Sequence, residues 1–112
     1  MDYLKQKLFK RENKYRRNYE IQESLYAQLE YLSEIYDATI PEIINICVDY
    51  LIQTQNVRFF ERDKKDSLIS RTIGMKESNI IGLEQLNEKY GVGISRLVNI
   101  AINNVLAESL EQ

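Results

Sequence analysis

The feature that most restricts this chain is that it contains one segment twice. Residues 70–106, SRTIGMKESNIIGLEQLNEKYGVGISRLVNIAINNVL, lie over residues 16–52, RRNYEIQESLYAQLEYLSEIYDATIPEIINICVDYLI, at a constant offset of 54 positions without a gap. Identities include Arg17/Arg71, Glu23/Glu77, Ser24/Ser78, Leu29/Leu83, Leu32/Leu86, Tyr36/Tyr90, Ile40/Ile94, Asn45/Asn99 and Ile46/Ile100, and Cys47 stands over Ala101. A repeat of this length is one supersecondary unit used twice, and a unit so short cannot bury its own apolar face. The two halves are therefore expected to pack on each other.

In the second half, Ile73 and Met75 alternate with Thr72, Gly74 and Lys76 up to the polar Glu77-Ser78, the period of a strand. Ser78 can cap a helix in which Ile80, Ile81, Leu83, Leu86 and Tyr90 recur at helical steps, and Gly91 stands where a left-handed residue ends it. A second helix follows Gly91-Val92-Gly93, with Ile94, Leu97, Val98, Ala101, Ile102, Val105 and Leu106 on its apolar stripe. In the first half the turn is Asp37-Ala38-Thr39, and Thr39-Ile40-Pro41-Glu42 combines a capping Thr, a Pro in the first turn and a Glu three residues after the cap. Tyr19, Tyr26, Tyr36 and Tyr90 fall on core-facing positions of these patterns.

A lone strand in each half can satisfy its backbone groups only against the other, and a two-stranded ribbon is marginal in water unless backed by helices. The expectation is a mainly α chain with a two-stranded antiparallel β-ribbon on four helices, two strand-helix-helix units forming an intramolecular pseudo-dimer. The organisation reads as a basic arm at 1–15, a first motif at 16–52, a helix extension and linker at 53–69 and a second motif at 70–112, all in one globular domain. Val57, Phe59 and Phe60 suggest that the first long helix continues and buries those rings. Leu4 and Leu8, one turn apart, suggest a short helix in the arm. Pairing of the strands between chains, in a swapped dimer, is the competing arrangement.

With Tyr19, Ile21, Ile73 and Met75 inward, alternation turns Arg16, Asn18, Glu20, Gln22, Ser70, Thr72, Gly74 and Lys76 outward. The alternating strand, the first helix of about twelve residues, the Gly91 turn and the apolar second helix together resemble the ribbon-helix-helix family of DNA-binding proteins, and more narrowly its tandem members. Those include plasmid transfer accessory proteins and archaeal-virus transcription regulators. The resemblance covers residues 16–52 and 70–106. It implies that the eight outward strand residues contact bases in the major groove of double-stranded DNA. It also implies that the long-helix starts clamp phosphates: Thr39 and Ile40 in the first half, and Gly93, Ile94, Ser95 and Arg96 in the second. Pro41 and Glu42 weaken the first clamp, so the second is expected to be the stronger.

The side chains suit base reading, since Asn and Gln can pair with adenine, Arg and Lys with guanine, and Thr with a base edge or a thymine methyl. The two half-ribbons differ at every outward position, which implies an asymmetric site. Glu20 is the exception to the pattern, a carboxylate that either accepts from a cytosine amino group or repels phosphate.

The formal net charge of −2 is unusual for a DNA binder, but its distribution is not even. Residues 1–17 hold seven cations, Lys5, Lys7, Lys10, Arg11, Lys14, Arg16 and Arg17, against Asp2 and Glu12, a local +5 that leaves −7 for the rest. The acids concentrate on the first helices and the tail, away from the expected groove face. One Cys and no His argue against a disulfide framework or a zinc site, and no nucleophile–base constellation is present, so neither cofactor nor catalysis is expected. The absence of a membrane-length apolar run and of a signal-peptide core predicts a cytoplasmic protein, in the host cytoplasm for a viral source. The leading functional expectation is a sequence-specific transcription regulator. A plasmid transfer or partition accessory protein, and an interaction module that has lost DNA binding, are the alternatives; further self-association on DNA stays open.

Overall fold

The computed structural model describes residues 13–111, with the side chains of residues 109–111 excepted. Strand β1 spans Lys14–Gln22, helix α1 Glu23–Tyr36, helix α2 Ile40–Thr54, strand β2 Leu68–Lys76, helix α3 Glu77–Tyr90 and helix α4 Ile94–Glu111. Each element of the second half starts 54 residues after its counterpart in the first. The two strands form one antiparallel sheet within the chain, with Asn18 opposite Thr72 and the pairing running from Lys14–Lys76 to Gln22–Leu68.

Alternation along the strands sends Tyr19, Ile21, Ile73 and Met75 into the core. There they meet Leu25 and Leu29 of α1, Ile44, Val48 and Leu51 of α2, Leu83 and Leu86 of α3, and Leu97, Val98, Ala101 and Ile102 of α4. Each fully buried aliphatic side chain contributes about 2 kcal/mol of transfer free energy. Helices α2 and α4 share the largest helix–helix contact in the fold. The ribbon rests on them and is thereby freed from the marginal stability of an isolated hairpin. Gly82 lets α3 approach α2: a Cβ there would stand 2.3 Å from Ile52 Cδ1.

Helix ends follow local chemistry. Thr39 and Glu42 form a reciprocal capping box at the start of α2, with Pro41 in its first turn. Gly91 ends α3 at φ 66, while Asp37 and Gln55 take the same left-handed conformation at the ends of α1 and α2.

Several expectations are corrected. Both strands are nine residues long, so Lys14 and Tyr15, assigned to the arm, belong to β1, and Leu68 and Ile69, assigned to the linker, belong to β2. The extension of α2 past residue 54 does not form, because Gln55 turns left-handed and residues 55–67 leave in non-helical conformation. Val57 and Phe60 pack against the core, but Phe59 is 59% exposed. Helix α3 starts at Glu77, one residue before the expected cap Ser78, with Lys76 at the N-cap. Tyr36 and Tyr90 are exposed rather than core-facing, since each is the last residue of its helix and lies beyond the opposing apolar side chains. The short helix expected around Leu4 and Leu8 lies outside the described residues.

Candidate nucleic-acid interface

The outward face of the ribbon is a ladder of five cross-strand pairs: Lys14–Lys76, Arg16–Gly74, Asn18–Thr72, Glu20–Ser70 and Gln22–Leu68. Lys14, Arg16, Asn18, Glu20, Ser70 and Thr72 are exposed, and Gly74 and Lys76 are half-buried. At the centre, the Thr72 hydroxyl donates to the Asn18 amide oxygen. That bond leaves the Asn18 NH₂ group without a partner among the described residues. At one end two ammonium groups stand on directly opposed positions, with Arg16 next along the strand. Like charges so placed destabilise a sheet in water, and a bound anion reverses the sign of that effect.

Gln22 is the correction in this set: it is 8% exposed and therefore does not stand out on the ribbon face as alternation implied. Its backbone N–H is held by Asn99 Oδ1 at 2.9 Å, and Phe60 and Lys64 of the connecting segment line the same groove. The connection between the halves thus borders this end of the ribbon across the groove, where Leu68, opposite Gln22, stays 45% exposed.

Two asparagines that sequence reading noted only as an identity position both strand ends. Asn99 of α4 donates to the carbonyl of Glu20 (2.8 Å) and accepts from the N–H of Gln22. Asn45 of α2 donates to the carbonyl of Gly74 (2.9 Å) and accepts from the N–H of Lys76 (2.9 Å). Both are buried, and Asn79 Nδ2 adds a bond to Asn45 Oδ1 at 3.0 Å. The signal that could have found them is an identical polar residue inside an apolar stripe at the same place in both repeats, because a buried amide persists only where its hydrogen bonds are met.

The two helix starts differ. At α2 the capping box engages the amides of Thr39 (3.1 Å to Glu42 Oε2) and Glu42 (3.3 Å to Thr39 Oγ1), and Pro41 has no N–H. Ile40 is what remains of that turn for a phosphate. At α4, Gly93 is exposed, Ile94 and Ser95 are half-buried, and Arg96 is exposed. The Ser95 hydroxyl accepts from the N–H of Glu20 at 3.0 Å, which leaves its own O–H to donate, and the Arg96 guanidinium lies over the Phe59 ring at 4.9 Å. Both border a groove of about 600 Å³, also lined by Glu20, Glu61, Arg62 and Lys64. The turn that sequence reading ranked as the stronger clamp thus has its hydroxyl and its cation already in contact with the protein.

Other ionisable groups are structural. Burial pushes the Cys47 thiol up to about 12, so at neutral pH it is a packing residue and not a nucleophile. Burial also raises Tyr19, against the opposing influence of Arg17. Asp66 is held below the usual carboxylate range by hydrogen bonds from the Ser24 hydroxyl (2.5 Å) and the Ser24 N–H (2.9 Å), at the first turn of α1. Among the described residues no group of three or more His, Cys, Asp or Glu could hold a metal, and no helix is long and apolar enough to cross a membrane. No protein-family model, curated protein or solved structure matches the chain.

Proposed function

We propose that the chain is a tandem ribbon-helix-helix protein, an intramolecular pseudo-dimer that binds double-stranded DNA sequence-specifically and regulates transcription. The observation that carries this reading is the outward ribbon face, where Lys14, Arg16, Asn18, Thr72 and Lys76 lie together on a two-stranded element of the width a major groove admits. Asn18 and Thr72 are repeat counterparts and also cross-strand partners, so the pseudo-twofold axis passes between them. Around that axis the two arms are unlike. Arg16 is related to Ser70, and Glu20 to Gly74, so the target is an asymmetric site with no palindrome. The cationic arm approaches guanine and phosphate, and Glu20 faces a cytosine amino group. Occupation of a promoter is the simplest regulatory mechanism, and transfer or partition sites would use the same contacts.

The test is selection of bound sequences from a random duplex pool, followed by mobility-shift titration at low salt. Enrichment of one non-palindromic sequence bound at least about tenfold tighter than random duplex supports the proposal, given the usual separation of specific from non-specific affinity. A second reading, a protein-interaction module, is favoured by the exposed Tyr31, Ile35 and Tyr36 on α1. It predicts no shift with either pool.

A further inference from the structure

Five amide side chains are buried among the described residues, and four of them donate inside the protein. Asn45 donates to the carbonyls of Pro41 and Gly74, Asn79 to that of Asn45, Asn99 to those of Glu20 and Ser95, and Asn104 to that of Asn56. Gln22 is the fifth. Its backbone N–H is held by Asn99, but its side-chain amide bonds nothing among the described residues, although the residue is only 8% exposed. A polar group so placed costs stability unless a partner reaches it. Gln22 lines the groove of about 600 Å³ bounded by the end of the ribbon, the connecting segment and the start of α4.

The repeat supplies an internal control for the rest of that groove. Asn99, which holds the strand, has Asn45 at the matching place, where it makes the same bonds. The other lining residues with a described counterpart are all exchanged: Glu20 for Gly74, Gln22 for Lys76, Leu68 for Lys14, Ser95 for Pro41 and Arg96 for Glu42. One half of the molecule builds its strand and helices without this set, so the fold does not require it.

The chemistry of the groove is mixed. Arg62, Lys64 and Arg96 supply cations, and the Ser95 hydroxyl, which accepts from the Glu20 N–H, keeps its proton to donate. Ser95 and Arg96 belong to the first turn of α4, ahead of the Leu97 N–H that bonds the Gly93 carbonyl, where the helix dipole favours an anion. The half-buried Phe60 ring and the exposed Leu68 offer an apolar surface. Gln22 offers a donor and an acceptor side by side, and Glu20 and Glu61 offer carboxylates that accept from hydroxyl groups.

We propose that this groove binds a nucleoside monophosphate. The phosphate meets the cations and Ser95, the base lies against Phe60 and Leu68 with its polar edge on the Gln22 amide, and the ribose hydroxyls meet the carboxylates. The volume is that of an ordinary small-ligand pocket. An inorganic anion would leave the Gln22 amide and the Phe60 ring unmet, and an apolar ligand would leave the cations unmet. Glu20, Ser95 and Arg96 also belong to the proposed DNA face, so nucleotide and duplex exclude each other; that consequence rests on the DNA reading, and the site itself does not.

The experiment titrates the full chain, without DNA, with the four ribonucleoside monophosphates, their nucleosides and inorganic phosphate, followed by calorimetry and amide chemical shifts. At least one monophosphate is expected to saturate a single site with Kd below about 1 mM, at least about tenfold tighter than phosphate or its own nucleoside, and to shift residues 20–22, 60–64 and 95–99. Gln22→Met keeps the packing and removes only an unpartnered amide, so it should unfold no earlier than the parent yet bind at least about tenfold more weakly. Lys64→Ala should weaken binding, and Lys65→Ala, next along the chain and outside the groove, should not. No saturable binding, phosphate held as tightly as any nucleotide, an unaffected Gln22→Met, or equal losses from the two lysine variants would overturn the proposal. With the selected duplex present, saturating monophosphate should weaken the complex at least about tenfold, and an unchanged complex beside intact nucleotide binding would overturn the exclusion alone.

Discussion

Asn45 and Asn99, 54 residues apart, hold the strand of the opposite half by the same two bonds, Asn45 to the Gly74 carbonyl and the Lys76 N–H, Asn99 to the Glu20 carbonyl and the Gln22 N–H. Each long helix of one half therefore fixes the last turn of backbone before the first helix of the other. The outward residues between those anchors inherit their placement from them.

Replacing either amide by Ala leaves a carbonyl and an N–H without that partner, and since all but the buried Gln22 N–H are part-buried, the cost per group lies toward the lower end of about 1–3 kcal/mol. Asn45→Ala should be somewhat the more damaging, because it also removes one of the two bonds made by Asn79 Nδ2, leaving the 3.1 Å bond to the Asn45 backbone carbonyl. Urea unfolding of the two variants checks the order. Equal and negligible losses would mean that the ribbon is positioned by apolar packing alone.

The contact between Ile52 and Gly82 predicts a second stability effect. In Gly82→Ala the new methyl meets Ile52 Cδ1 and Cγ1, at 2.3 and 2.8 Å before relaxation. Overpacking costs about 1–3 kcal/mol and exceeds the gain of about 1 kcal/mol from helix propensity. Adding Ile52→Val should recover part of the loss, a non-additivity that thermal unfolding of the four chains in the cycle measures.

Acid should loosen the junction between the connecting segment and α1. Asp66 is depressed in the folded chain, so its contribution is present above the unfolded carboxylate range near about 4 and is lost as pH falls through the lower folded value. Asp66→Asn should therefore be less stable than the parent at pH 7, and the gap should narrow as pH falls below about 4. Unfolding midpoints measured across that window read the effect, and a gap independent of pH would contradict it.

On duplex DNA, Asn18→Ala and Thr72→Ala should weaken binding to the preferred site by about 1–3 kcal/mol each while barely changing random duplex. Lys14→Ala should weaken both and reduce the slope of log K against log salt by about one contact. Arg96→Ala should act in the same direction but less, because its guanidinium is already stacked on Phe59. Unchanged specific binding in all four would remove the ribbon from the interface.

Much of the architecture could be read before any coordinates. Period-two alternation located Tyr19, Ile21, Ile73 and Met75 in the core, and Gly91 and the Thr39–Glu42 box ended and began helices where expected. What escaped reading depends on distant chain. Gln22 obeys the alternation that should expose it, but it is buried where Asn99 of α4 holds its N–H and where it shares a groove with Phe60 and Lys64, and no local pattern reports neighbours so distant in sequence. Tyr36 and Tyr90 keep helical phase with the core yet lie past its edge, because periodicity gives direction and not the extent of the opposing surface. Apolar content does not foretell the path of residues 55–67 either: Val57, Phe59 and Phe60 are equally apolar, yet α2 ends at the left-handed Gln55 and only Val57 and Phe60 reach the core.

The central claim is that the outward ribbon face meets DNA, and amide chemical-shift mapping with the selected duplex tests it most directly. The account predicts the largest perturbations at residues 14–20 and 70–76, together with the turns before α2 and α4, and little change along α1 and α3. Perturbations centred on Tyr31, Ile35 and Tyr36 with a silent ribbon would contradict it.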